Sequence, residues 1–180
     1  CAGRAAAMVH IGSLTTDSSA RMAKAAADAG AAAICCVPPF FYKPSEQAII
    51  DHYRIVADAA GDLPFFVYNQ PKYTGVEFDA PMLARIKDAV PQITGVKHSA
   101  PDFSNIWRFS ELGIDTFTGH GSLFLPTLAA GGAGVVDGPL IVFPEIWVGI
   151  YDAYKSGDMV KAQELQGKGN ILVGLASKYG

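Results

Sequence analysis

Two periodicities share this chain of 180 residues. Short runs, mostly apolar, occur at 8–12, 33–37, 64–68, 93–97, 115–118 and 134–136. Each is followed by a stretch in which apolar residues return every three or four positions. The first pattern predicts strands and the second amphipathic helices. Thr15-Thr16-Asp17 supplies N-cap chemistry for a helix over 19–29 that stops at Gly30. Pro44-Ser45 opens a helix to about Ala60, closed by Gly61-Asp62. Asn69-Gln70-Pro71 reads as a turn, and Asp79 as the N-cap of a helix carrying Met82, Leu83 and Ile86. Further helices are expected over 102–112 and, after the turn Gly119-His120-Gly121-Ser122, over 123–130. From Phe143 the chain reads as helical in two pieces, broken near Ser156-Gly157-Asp158. Strand and helix thus alternate six times with short connections, which predicts βαβ units and a parallel sheet in one α/β domain over 1–180. An open doubly wound sheet and a closed barrel both fit.

Composition narrows the function. Half the residues are hydrophobic and 17% are charged, as in a buried-core globular protein. A net charge of −3 without a basic block argues against nucleic acid as a partner. No apolar run approaches the ~20 residues that span a bilayer, so no membrane partner is expected. Cys1-Ala2-Gly3-Arg4 has neither an initiator methionine nor signal-peptide architecture, and the chain reads as entered part-way through. Cys1, Cys35 and Cys36 offer no disulfide framework and no metal spacing, and the adjacent pair reads as small core residues in a reducing cytoplasm. No Gly-x-Gly-x-x-Gly follows a strand and no P-loop is present, which lowers the case for a nucleotide.

The candidate chemistry gathers at strand ends. Lys97 closes the run Ile93-Thr94-Gly95-Val96-Lys97, where α/β folds place their active sites. Burial disfavours an ammonium, so a lysine there either snorkels to water or becomes neutral enough to attack a carbonyl and form a Schiff base. Tyr68 ends the preceding strand and reads as a core aromatic or as a phenol that shuttles protons beside Lys97. Asp137 is a turn former or a site residue, and His120 a loop residue or a base. Gly119, Gly121 and Gly138 would let backbone amides approach a carboxylate ligand. His10, His52 and His98 show no metal-ligand spacing with His120.

Together these segments resemble the dihydrodipicolinate synthase/N-acetylneuraminate lyase family of pyruvate-dependent class I aldolases. The likeness rests on Val67-Tyr68-Asn69-Gln70-Pro71 with Thr74-Gly75, on Gly95-Val96-Lys97, on Pro39-Phe40-Phe41-Tyr42-Lys43-Pro44-Ser45 before Asp51-His52-Tyr53, and on 128–135. The resemblance implies a (β/α)8 TIM barrel, with the third to eighth βα units present here plus the start of the C-terminal helices. It implies a Schiff base between Lys97 and pyruvate or another 2-oxo acid, with Tyr68 transferring protons and no metal or organic cofactor. Main-chain groups at Gly119 and Val136, with Tyr73, Thr74 and Asp137, would then line the substrate. A cytoplasmic homotetramer that joins the 2-oxo acid to an aldehyde or sugar acid is the implied assembly and reaction.

Three departures bear on the substrate. Nothing matches the family's Gly-Thr/Ser-Thr-Gly-Glu loop, so the 180 residues alone are expected to be inactive. Tyr73 stands where the synthases carry an arginine, and Phe40-Phe41 where they carry paired tyrosines. Gly121-Ser122 replaces the Asp-Glu pair of the sialic acid lyases. These differences point away from both named activities, towards a lyase or aldolase for a related 2-oxo acid. A 2-keto-3-deoxy sugar acid dehydratase using the same lysine, and a non-catalytic 2-oxo acid-binding relative, are the alternatives.

Overall fold

Six strands and eight α-helices alternate along residues 3–179, the part of the chain that the computed structural model describes; Cys1 and Ala2 of the N-terminal reading lie outside it. The strands are β1 (Met8–His10), β2 (Ala33–Cys36), β3 (Phe65–Asn69), β4 (Ile93–His98), β5 (Asp115–Thr118) and β6 (Gly134–Val135). All pair in parallel, in the order in which the chain meets them. A doubly wound sheet reverses its strand order at a switch point. This one never reverses, so it is the wall of a barrel, curled through six strands. The helices α1 (Thr16–Asp28), α2 (Glu46–Ala60), α4 (Ala80–Ala89), α5 (Ser104–Ser110) and α6 (Phe124–Ala129) lie on the paths between strands. α7 (Pro144–Lys155) and α8 (Met159–Tyr179) follow β6, with the break between them at Gly157, whose φ is 83°.

The helix starts follow the caps visible in the sequence. Thr15, Ser45 and Asp79 accept hydrogen bonds from the amides of Ser18, Ala48 and Met82 at 3.2, 3.2 and 2.8 Å. Alternation along the strands then divides the sheet into two faces. Ile34, Cys36, Phe65, Val67 and Val96 point outward into the main core, against Tyr53, Val56, Leu83, Ile86 and Phe109 of the helices. Ala33, Cys35 and Phe66 point inward, joined by Tyr68 and Phe117. The adjacent cysteines therefore lie on opposite faces, both buried, as expected. A separate cluster of Phe124, Leu128, Trp147 and Ile150 fastens α6 to α7 and α8.

Local differences concern the loops. Pro71–Thr74, expected as a turn, forms the short helix α3, capped by Gly75 at φ 68°. Proline at its first position needs no N–H partner there, and the four residues are too few to show a periodicity. β4 runs one residue further than expected, to His98, and α5 starts later because the Asp102 side chain holds the Ser104 amide and hydroxyl. β6 is shorter than expected, although the Val136 amide still bonds the Thr118 carbonyl at 2.9 Å.

Candidate active site

The register of β3 on β4 sets Tyr68 directly opposite Lys97. Both side chains stand on the inner face, at the C-terminal ends of neighbouring strands. The Lys97 Nζ lies 4.2 Å from the centroid of the Tyr68 ring, where the electron-rich face attracts a cation. His10 of β1 meets the same ring edge-on, with centroids 6.0 Å apart and planes at 87°. The Gln70 Nε2 reaches the Tyr68 hydroxyl at 3.4 Å. Phe66 and Phe117 pack below at 5.7 Å, which closes the floor of the inner face with apolar rings. Glycine at 95 is what admits this floor, since a Cβ there would run into the Phe66 ring.

Two residues beyond Tyr68, Lys97 and Phe117, the chain presents Gln70, Ser99 and Gly119 to the same side. These three, with Tyr73, His120 and Asp137, line a cavity of about 690 Å³ over the strand ends. A second cavity of about 610 Å³, lined by Arg54, Asp58, Pro64 and Thr94, sits at the opposite, N-terminal ends of β3 and β4. Barrel chemistry belongs to the C-terminal face, so the first cavity is the candidate site.

Partial burial, and secondarily the Lys97 charge, hold the His10 imidazole below its usual range, although the residue still meets water on the open side of the arc. Burial pushes the Cys35 thiol up to about 12, with Lys97 offsetting part of that rise. Both inner-face neighbours of Lys97 therefore favour their neutral forms at pH 7.

The residues singled out from the sequence fare differently. Lys97 and Tyr68 come together. Gly119, Tyr73 and Asp137 reach the cavity rim, with Tyr73 72% exposed. The amides of Gly119 and Val136 are engaged in the sheet, with the His98 and Thr118 carbonyls at 2.7 and 2.9 Å. Neither amide is therefore free to donate to a ligand, which could meet these two residues only at their carbonyl oxygens. Thr74 is buried, and its hydroxyl is engaged within its own turn: it lies 3.0 and 3.1 Å from the Gln70 and Val76 carbonyls and accepts from the Val76 amide at 3.2 Å. The Gly121 and Gly138 amides are engaged as well, both donating to the Asp137 carboxylate at 2.8 Å. His10 is the neighbour that the motifs overlook; its inward place in the alternation of β1 is the only signal the sequence carries for it.

The dihydrodipicolinate synthetase family model matches residues 1–178. The chain is 34% identical over 166 residues to the 4-hydroxy-tetrahydrodipicolinate synthase of Methanopyrus kandleri, covering 91% of this chain and 55% of that one. It is likewise 34% identical over 167 residues to the enzyme of that name from Corynebacterium aurimucosum, with 92% and 55% covered. The chain thus spans about half the length of the curated relatives it matches. Among solved structures, the dihydrodipicolinate synthase of Aquifex aeolicus superposes with a TM-score of 0.87 at 26% identity, over 95% of this chain and 59% of that one. A sialic acid aldolase of Ruminococcus gnavus, a catalytic lysine mutant, gives 0.90 at 23% identity over 96% and 57%, a likeness of fold.

Proposed function

The chain belongs to the dihydrodipicolinate synthetase family, and from that premise we propose that it carries the Schiff-base centre of a lyase or aldolase acting on pyruvate or a related 2-oxo acid. The observation that carries this reading is the Tyr68–Lys97 pair, a primary amine 4.2 Å from a phenol ring at the mouth of a barrel wall. The Lys97 amine adds to the keto carbon, and loss of water leaves an iminium. The iminium withdraws electrons, so the neighbouring C–H gives up its proton and its electron pair becomes the enamine double bond. In this reading Tyr68 moves protons to and from the bound substrate. The enamine then attacks an aldehyde, or forms in reverse when a C–C bond breaks. No metal or organic cofactor is required by this sequence of steps.

The substrate is neither of the two that the family names first. Tyr73 stands 72% exposed on the rim with Lys72 beside it, and Gly121 and Ser122 bring no carboxylates to the cavity. Glu77 and Asp137 both line the rim, and the Asp137 carboxylate is already engaged with backbone amides. These features support a smaller or less hydroxylated 2-oxo acid, or a sugar acid held through Ser99, His120 and Gln70. Loss of a β-hydroxyl through the same enamine, as in a 2-keto-3-deoxy sugar acid dehydratase, is the alternative favoured by the polar rim. The working form we propose is a closed barrel in a cytoplasmic homotetramer, to which these residues contribute six βα units. No helix among the described residues is long and apolar enough to cross a membrane.

The test uses the full-length protein that carries these residues, incubated with pyruvate and borohydride and digested for mass spectrometry. A reduced pyruvyl adduct on the peptide holding Lys97, absent from Lys97→Ala, is the expected result. A folded wild type that yields no adduct with pyruvate or a panel of 2-oxo acids would leave only the non-catalytic binding role.

A further inference from the structure

Behind the Tyr68–Lys97 pair lies a second pair, one residue further along the same strands. Asn69 and His98 are opposite each other in the register of β3 and β4, and both point to the outer face. Asn69 is fully buried and His98 is 1% exposed. The Asn69 amide bonds both main-chain groups of Phe78: its Oδ1 accepts from the Phe78 N–H at 3.1 Å and its Nδ2 donates to the Phe78 carbonyl at 3.1 Å. That fixes which end of the amide is which. The second Nδ2 hydrogen then points to the His98 Nδ1 at 3.1 Å, which must accept it. The proton of a neutral His98 is therefore on Nε2, where it donates to the Asp102 carbonyl at 2.9 Å. The ring is held edge-on by Phe109 of α5, with centroids 5.3 Å apart. Every polar atom of both side chains thus has a partner of the correct sense.

We propose that Asn69 and His98 are positioning residues, a buried clamp that fixes the ends of β3 and β4 so that Tyr68 and Lys97 stay opposed. The clamp ties two loops to the two strand ends, the segment leading to Phe78 and the loop carrying Asp102, and joins those ends to each other. It rests on the Schiff-base reading for its consequence, though not for its geometry.

The clamp tolerates only neutral His98. A proton on Nδ1 would face the Asn69 N–H, donor against donor. Turning the Asn69 amide to receive it would set the same conflict against the Phe78 N–H and carbonyl. The ionisable groups facing His98 are Asp102 on its own loop and His120 on the loop after β5; Asn69 from β3 and Phe109 from α5 are neutral. Burial is the largest influence and, with the His120 charge, outweighs Asp102, so His98 stays below its ordinary value. The clamp is therefore whole at neutral pH and opens on acidification.

The experiment measures the rate of borohydride-trapped adduct formation on Lys97 against pH, in wild type, His98→Phe and His98→Asn. Phenylalanine keeps the packing on Phe109 and removes both hydrogen bonds. Asparagine offers an acceptor to Asn69 that does not titrate near neutrality. The expected result is a rate lowered at least tenfold in His98→Phe at pH 7.5, with substantial rescue by His98→Asn and a weakened acid limb in that variant. A structural residue would lower the melting temperature and leave the rate of the folded fraction and its pH profile alone; that outcome overturns the clamp. If wild type forms no adduct, the Schiff-base reading fails, and the clamp is judged by NMR instead. The Lys97 methylene protons, shifted upfield over the Tyr68 ring, should lose that shift in His98→Phe, and an unchanged shift overturns the proposal.

Discussion

Asp137 shows how a residue's chemistry depends on what already occupies it. The sequence leaves Asp137 as a turn former or a site residue, and here its carboxylate accepts from the amides of Gly121 and Gly138. It does for two turns of this chain what an anionic ligand would do for a backbone nest. The partner amide of Gly121 is sixteen positions away, so no local motif announces it. Replacing Asp137 by alanine leaves the buried Gly121 amide without an acceptor and the exposed Gly138 amide to water. We expect a loss of about 1–3 kcal/mol in urea unfolding, with the adduct still forming at Lys97. Adduct formation abolished in a folded Asp137→Ala protein would return the carboxylate to the reaction. Tyr68 and Lys97 were legible because each ends an apolar run. Their pairing required only that β3 and β4 be neighbours. His98 was not legible as a partner of Asn69, because that relation exists only across the register.

Caps and alternation made the helices and strands readable one at a time; what joins them is a different matter. The packing of α1 and α2 against β2 is organised around a buried histidine. The His52 ring is 3% exposed, with Nδ1 2.9 Å from the Thr16 hydroxyl and Nε2 3.6 Å from the Cys36 sulfur. Burial lowers its pKa from 6.5 to about 4. Between those values the unfolded chain binds a proton that the folded chain refuses, so stability is intact above the upper value and falls as pH drops towards the lower. The full effect is up to about 3 kcal/mol. Unfolding free energy measured from pH 7 to pH 4 should decline less steeply in His52→Gln than in wild type. Parallel slopes would show that His52 does not carry this dependence. The sequence shows His52 on a helix with an apolar face, but not that Thr16 and Cys36, on two other elements, converge on its two nitrogens. α3 escaped notice for a related reason, since its stability comes from Thr74 and Gly75 closing the turn and not from any repeated pattern.

At the scale of the molecule, the arc of six strands has two ends. Among the described residues β1 pairs only with β2, and β6 only with β5. Apolar side chains crowd both ends: Met8 and Val9 are 38% and 37% exposed, and near β6 Ile141 and Phe143 are 86% and 51% exposed. An unpaired edge beside apolar surface is a template for another strand. The six βα units were readable from the alternation of short runs and helical stretches, whereas their order and the shortfall from eight units came only with the resemblance to a barrel family. Which side chains this would leave facing water was not readable, because exposure depends on how far the arc has curled. The 180 residues produced alone should therefore associate as concentration rises, in sedimentation velocity, while the full-length protein keeps one defined species. The short chain should also trap pyruvate on Lys97 far more slowly, since the inner face carrying His10 and Tyr68 stands open to water. Water both solvates the ammonium of Lys97 and competes for the iminium. A monodisperse 180-residue chain that forms the adduct at the full-length rate would refute this. It would show that the β3–β4 pair and the loops it anchors suffice for the chemistry without a closed barrel.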